Sequence, residues 1–239
     1  RLADVLKACG VGRNAKYVAY VAADTHLSGD PAKLPISRGV PLAKAMEKES
    51  LLAFELNGRY IADHHGAPLR MVCGGWPGSV SGKWVTEILI RDREHDGPKM
   101  GGKSYRVPRY PVAPGASVAD ADMQTIKSMP VKSLISFPES GTRAIRDSEI
   151  TVRGHAWAGD NRVKGVELST DFGASWVRTE LSPPVNRLAW QRFTGAVTLK
   201  EPGYYEIWAR ARDQNDRMQP MIVPGWNPKG YLNNASHRV

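Results

Sequence analysis

Residues 63–84 constrain what this chain can fold into more than any other stretch. They read Asp63-His64-His65-Gly66-Ala67-Pro68-Leu69-Arg70, pass through Gly74-Gly75-Trp76-Pro77-Gly78, and end on Ser81-Gly82-Lys83-Trp84. Glycine and proline at this density break a helix, so the stretch has to be a folded-back loop that its neighbours hold in place. Backbone N–H groups freed in such a loop, beside the guanidinium of Arg70 and the ammonium of Lys83, suit a phosphorylated, polyanionic ligand. On composition alone, an arginine and a lysine flanking a turn read more readily as solvated surface.

The sequence before this loop alternates strands and helices. Residues 1–9 predict a short helix with Leu2, Val5 and Leu6 on one face, Cys9 as a small buried residue and Gly10 as its stop. Residues 17–22 predict a buried strand that runs out at Asp24-Thr25-His26. Pro41 opens a second helix through Met46, and residues 51–56 and 59–61 flank Asn57-Gly58, a strong hairpin signal. Cys73 follows Met71-Val72 in a strand and reads as buried. Residues 83–90 predict a strand with Trp84, Ile88 and Ile90 on one face. This is an α+β pattern, and with 41% hydrophobic and 24% charged residues the composition is that of a globular protein.

Beyond residue 92 the chain turns polar and glycine-rich, and Pro108, Pro111 and Pro114 mark a stiff connector. The pattern then changes to short strands with turns between them, at 134–137, 149–157, 164–169, 175–180, 188–199 and 204–213, as in a β-sandwich. A domain boundary is expected near Met129-Pro130, giving domains 1–128 and 129–239. Trp157, Trp176, Trp190 and Trp208 are expected in the sandwich core.

The net charge is +9, with the basic excess shared by both halves. No zinc-finger, RNP or arginine-rich signature accompanies it, so the charge is read as a field that draws in small anions, with no nucleic acid partner. Two cysteines are too few for a disulfide framework or a zinc site, and no metal-ligating residue is expected in the chain. No apolar run approaches the ~20 residues of a membrane-spanning helix.

The order HGAPLR, then Gly-Trp-Pro-Gly, then Lys-Trp resembles the molybdopterin-binding signature of the sulfite oxidase family. The resemblance covers nearly the whole chain. It implies the C-terminal part of an α+β molybdopterin-binding domain followed by an immunoglobulin-like dimerisation domain. By the same resemblance Asp24, His65, Arg70 and Lys83 hold the molybdenum–molybdopterin cofactor, with Ser81 and Gly82 as neighbouring loop contacts; His64 is out of register. Tyr105, in Tyr105-Arg106, matches the family tyrosine that hydrogen-bonds at the metal. Lys229, in Trp226-Asn227-Pro228-Lys229-Gly230, stands where animal members carry an arginine over the substrate, and this form is similar to bacterial sulfite dehydrogenases. Lysine keeps the charge of that arginine and loses its planar fork.

The implied activity is oxidation of sulfite to sulfate, with electrons passed to a cytochrome c-type acceptor in the periplasm by a homodimer. The family's molybdenum-ligating cysteine belongs to sequence upstream of Arg1, and the chain opens on Arg1-Leu2-Ala3-Asp4-Val5 already in helical rhythm, so preceding sequence is expected. Two other readings stay open: a related molybdopterin enzyme acting on sulfoxides or sulfane sulfur, and a non-catalytic interaction module.

Overall fold

In the computed structural model, which describes all 239 residues, the strand Tyr17–Ala22 (β1) is buried along almost its whole length. An apolar run without alternation needs cover on both faces, which places it at the centre of a sheet. Gly39–Pro41 (β2) pairs on one side of it, and the helix Leu42–Ala45 follows directly, with Pro41 as its N-cap. The chain continues through Ser50–Ala53 (β3), Glu55–Leu56 (β4), Arg59–Tyr60 (β5), Arg70–Cys73 (β6) and Val85–Arg91 (β7). β7 covers the other side of β1, giving the antiparallel order β2-β1-β7. Arg106–Pro108 (β8) and Met123–Thr125 (β9) form a further antiparallel pair. The eight-residue helix Leu2–Cys9 packs Leu2 and Leu6 into a core with Val18, Tyr20, Val40, Met71 and Val80.

These elements belong to one unit, Arg1–Lys127 together with Asn227–Tyr231; Ser128–Trp226 with Leu232–Val239 make the other. The first unit is mostly β, with helices of only eight and four residues, so the α+β expectation holds only in part. The expected 51–56 strand is two strands: β3 pairs with β6, while β4 turns through Asn57 and Gly58, both at positive φ, into β5. Cys9 is exposed rather than buried. It shares a helix flank with Val5, four residues earlier and itself 43% exposed, while Leu2, Ala3 and Leu6 make the buried stripe. Trp84 stands outside β7 at φ 51°, and Ile90 is exposed, so of the predicted apolar face only Ile88 packs against the core.

The second unit contains two four-stranded antiparallel sheets. Their strands are Lys132–Phe137 (β10), Glu149–Trp157 (β11), Val163–Ser169 (β12), Val177–Arg178 (β13), Glu180–Leu181 (β14), Gln191–Thr198 (β15), Trp208–Asp213 (β16) and His237–Arg238 (β17). The sheet orders are β10-β11-β15-β14 and β13-β12-β16-β17. Ile135, Val152 and Phe193 of one sheet share a buried core with Val166, Leu168 and Ala209 of the other. The expected 175–180 strand divides at Thr179, whose N–H and hydroxyl both bond Val166 O, and its two halves enter different sheets. Only Trp208 of the four expected core tryptophans is buried. Trp190 is 57% exposed and stacks on half-buried Trp157 at 4.2 Å, while Trp176 is covered by the Arg210 guanidinium at 3.8 Å.

Gln219, 1% exposed, ties the two sheets together. Its Oε1 accepts from Ser133 N–H and Oγ–H in β10 and from Ala211 N–H in β16, and its Nε2 donates to Ala235 O. Gln219→Leu strands these buried groups without partners and should cost about 2–5 kcal/mol in denaturant unfolding.

Two histidines, buried His95 and half-buried His237, depend on being neutral. His95 Nε2 lies 2.8 Å from Ser37 Oγ, which itself donates to Tyr20 O, so the ring N–H is the donor and Nδ1 faces Arg91. His237 Nδ1 accepts the Ile135 N–H. Burial, reinforced by Arg91 for His95 and Lys132 for His237, pushes both below the usual histidine value. The unfolded chain therefore binds more protons than the folded one as pH falls through about 6.5. Stability should be full above that pH and decline below it until the depressed folded values are passed. Unfolding midpoints measured at pH 7.5 and 5.5 check this.

Candidate functional site

The loop at residues 63–84 is closed by its own cations. Asp63–His65 forms a single 3-10 turn that ends at Gly66, φ 109°. Its three carbonyls point at side chains further along the chain: Asp63 O accepts Trp84 Nε1–H at 2.8 Å, His64 O accepts Lys83 Nζ–H at 2.9 Å, and His65 O accepts Arg70 Nη1–H at 2.9 Å. Arg70 Nη2 reaches Ser81 O at 3.2 Å, so one guanidinium joins the two ends of the loop. The Lys83 ammonium also rests 4.3 Å above the Trp84 ring. Backbone bonds from Met71 N to Gly82 O and from Val85 N to Leu69 O complete the closure.

Two glycines let the parts approach. A Cβ at Gly66 would lie 2.8 Å from Lys83 Cβ, and one at Gly82 would lie 2.3 Å from the Tyr20 ring. Tyr20 is buried in β1 and its hydroxyl donates to Ser79 O at 2.7 Å, so the ring has nowhere to go. Ser81 Oγ accepts the Cys73 N–H, and Ala23 N–H donates to Trp84 O, which brings Asp24 to the edge of the loop. Asp24, His65, Arg70, Ser81, Gly82 and Lys83 are thus gathered around one closed loop, with His65 exposed and its ring tilted against that of His64, centroids 4.0 Å apart.

Tyr105 and Lys229 lie in a second cluster of the same unit. Tyr105 sits at φ 53° just before β8, and its ring stacks on Tyr231 with centroids 5.6 Å apart. Lys229 is exposed, two residues from Tyr231, in a turn that Asn227 closes by accepting the Lys229 N–H and donating to Tyr231 O. Arg38, which the sequence analysis did not single out, places its Cζ 4.8 Å over the Tyr105 ring. Tyr231 was missed as well. Tyr20 links the two clusters: its ring packs on Gly82, and its backbone N–H donates to Arg38 O.

The donor set tests what this site can hold. Arg70 Nε is buried without a partner, and the Lys83 ammonium makes a single hydrogen bond. Cationic, donor-only groups with unused N–H around a glycine loop fit a phosphorylated organic cofactor. No group of three or more His, Cys, Asp or Glu side chains is placed to hold a metal ion. The residues of this chain therefore fit the pterin part of a molybdenum cofactor and supply no ligand set for its metal.

Comparison with known proteins agrees with a molybdopterin cofactor. Residues 1–99 match the oxidoreductase molybdopterin binding domain, and residues 123–239 match the Mo-co oxidoreductase dimerisation domain. The chain belongs to the sulfite oxidase family. Among members, mitochondrial sulfite oxidase of Drosophila melanogaster is 34% identical over 257 residues, covering 100% of this chain and 44% of that protein. The human mitochondrial enzyme is 31% identical over 256 residues, covering 100% of this chain and 45% of its own length. The chain thus spans about half the length of these relatives. A solved structure, the sulfane dehydrogenase SoxCD from Paracoccus pantotrophus, superposes with a TM-score of 0.80 at 25% identity, over 99% of this chain and 57% of that one. The family's cofactor is molybdenum–molybdopterin, which is the group that the donor set fits.

Gly82→Ala tests the closure of the loop. Its methyl group must displace a buried ring, so the variant should lose about 1–3 kcal/mol in unfolding free energy. Comparison of denaturant midpoints with the parent protein measures it.

Proposed function

We propose that this chain is the cofactor-anchoring and dimerising part of a molybdenum enzyme that oxidises sulfite to sulfate. The reading is carried by one observation: a phenol, Tyr105, is held in a strained backbone conformation between aromatic and cationic neighbours, in the same unit as the loop that Arg70 and Lys83 close. In this reading His65, Arg70 and Lys83 hold the pterin and its phosphate, with Asp24, Ser81 and Gly82 at the edge of the loop. The bound molybdenum–molybdopterin supplies the two-electron redox couple.

Sulfite and water give sulfate, two protons and two electrons, and the two electrons leave for an acceptor one at a time. The side chains act on charge. Lys229, exposed, attracts the dianion and orients it. The Tyr105 hydroxyl donates a hydrogen bond to a substrate oxygen without adding negative charge to the site. The second unit, two four-stranded sheets on a common core, is read as an immunoglobulin-like module that pairs two copies, in accord with the dimerisation-domain match. A cytochrome c acceptor and a periplasmic location complete the reading, supported by the resemblance to bacterial sulfite dehydrogenases.

A second reading has its own support. The likeness to the sulfane dehydrogenase fits oxidation of sulfane sulfur by the same cofactor and the same donors. Assays of the complete enzyme on sulfite, sulfane-sulfur and sulfoxide substrates, with cytochrome c as acceptor for the oxidations, separate these readings. With sulfite as substrate, Lys229→Ala should raise KM, since its charge attracts the dianion in ground and transition states alike. Tyr105→Phe should lower kcat by ~10- to 1,000-fold with molybdenum content unchanged. Arg70→Ala should lower molybdopterin content. A fully loaded Tyr105→Phe enzyme with parental turnover would make Tyr105 a packing residue and remove the basis of the proposal.

A further inference from the structure

Tyr105 has to be held still without the use of its hydroxyl. A phenol that donates to a substrate oxygen loses that donor if the fold commits it to a carbonyl, and a ring free to turn presents it in the wrong direction. No hydrogen bond within the chain uses the Tyr105 hydroxyl, and the residue is half-buried. The backbone around it is fixed instead. Tyr105 O accepts the Ile126 N–H, and the guanidinium of the next residue, Arg106, bonds Met100 O and Met123 O. At φ 53° the side chain leaves the backbone in a direction that a regular strand does not give. These bonds set where the ring starts and leave its side-chain torsions open.

Two flat groups restrain those torsions. The Arg38 guanidinium carbon lies 4.8 Å from the Tyr105 ring centroid, and the Tyr231 ring lies 5.6 Å from it with 22° between the planes. Arg38 cannot move: it is fully buried, and its Nη1 donates to Lys99 O. Tyr231 is anchored through its own backbone. The Asn227 side chain donates to Tyr231 O and accepts the Lys229 N–H, within residues 227–231, which join the first unit while the chain on either side belongs to the second. One asparagine therefore ties the ring that stacks on Tyr105 to the turn that carries Lys229. Stacked aromatic rings and a guanidinium over a ring each favour particular separations and tilts, and both contacts use the ring and leave the hydroxyl free.

We infer that Tyr231 is a positioning residue for Tyr105: its ring, set by the Asn227 turn, keeps the phenol in one orientation by stacking, so that the free hydroxyl is presented in a fixed direction. The inference rests on the sulfite reading, in which that hydroxyl donates to a substrate oxygen, and it adds a residue that neither the motif nor the relatives' names assign. Tyr231 acts through Tyr105 and needs no contact of its own with the substrate. Its loss should therefore slow turnover and leave the attraction of the dianion, the work of Lys229, unchanged.

The test uses the complete molybdenum-loaded enzyme, with rates counted per molybdenum. Tyr231→Ala should lower kcat for sulfite by about 10- to 100-fold with KM near the parental value, and Tyr231→Phe, which keeps the ring, should keep the parental kcat. Tyr231→Leu keeps the bulk without the flat ring and replaces the alanine variant if that does not fold. In a Tyr105→Phe background Tyr231→Ala should cost almost nothing further, because the hydroxyl that it orients is gone; a residue that only stabilised the fold would cost the same in both backgrounds. A 3-fluorotyrosine placed at position 105 reads the ring without any turnover. Its fluorine resonance should stand away from the free amino acid's in the parent and in Tyr231→Phe, and move towards it in Tyr231→Ala. Parental turnover in a folded Tyr231→Ala enzyme, an equal loss in Tyr231→Phe, the same loss in both backgrounds, or an unmoved fluorine resonance overturns the inference. If the parent does not oxidise sulfite, the functional reading fails alone, and the fluorine resonance of Tyr231→Ala decides the positioning role: movement supports it, and none overturns it.

Discussion

Three adjacent carbonyls, those of Asp63, His64 and His65, hold the candidate site together. A 3-10 turn uses one carbonyl for its own closure, here Asp63 O accepting the Gly66 N–H, and an exposed turn would give the others to water. Here Trp84, Lys83 and Arg70 take one each. The cations that a ligand would meet are therefore the same groups that close the loop. Their geometry is fixed before any ligand arrives, and charge-assisted bonds to carbonyls keep the long side chains from sampling solvent. The cost of ordering a lysine and an arginine is met by folding rather than by binding.

The same economy recurs at Tyr20. Its ring fills the space beside Gly82, its hydroxyl bonds Ser79 O, and its backbone bonds Arg38 O. A single central-strand residue thereby sets the spacing between the closed loop and the Tyr105 cluster. Burial raises the Tyr20 pKa well above the usual phenol value, so this brace stays a neutral donor throughout the range in which the protein would work.

Much of the loop was legible in the sequence because its chemistry is local. Glycine, proline and the spacing of His65, Arg70 and Lys83 name a closed turn with cations before any tertiary contact is known. The hairpin at Asn57-Gly58 was legible for the same reason, since both residues adopt the positive φ that the dipeptide predicts. What the sequence hid depends on burial. Arg38 sits in Ser37-Arg38-Gly39 like any surface arginine, and nothing local says that it is fully enclosed. Tyr231 becomes a partner of Tyr105 only when residues 227–231 join the first unit. The tryptophans misled for the converse reason: an indole can satisfy itself by stacking on another indole or under a guanidinium, as Trp190 and Trp176 do, without entering the core.

Gly66 and Gly82 have a consequence for how this family should be recognised. Each is required by a neighbour within the chain, Lys83 in one case and Tyr20 in the other, and neither needs a ligand to explain it. Selection for a well-folded loop alone would preserve both glycines in a descendant that had abandoned redox chemistry. The signature built on them is thus a marker of ancestry and architecture.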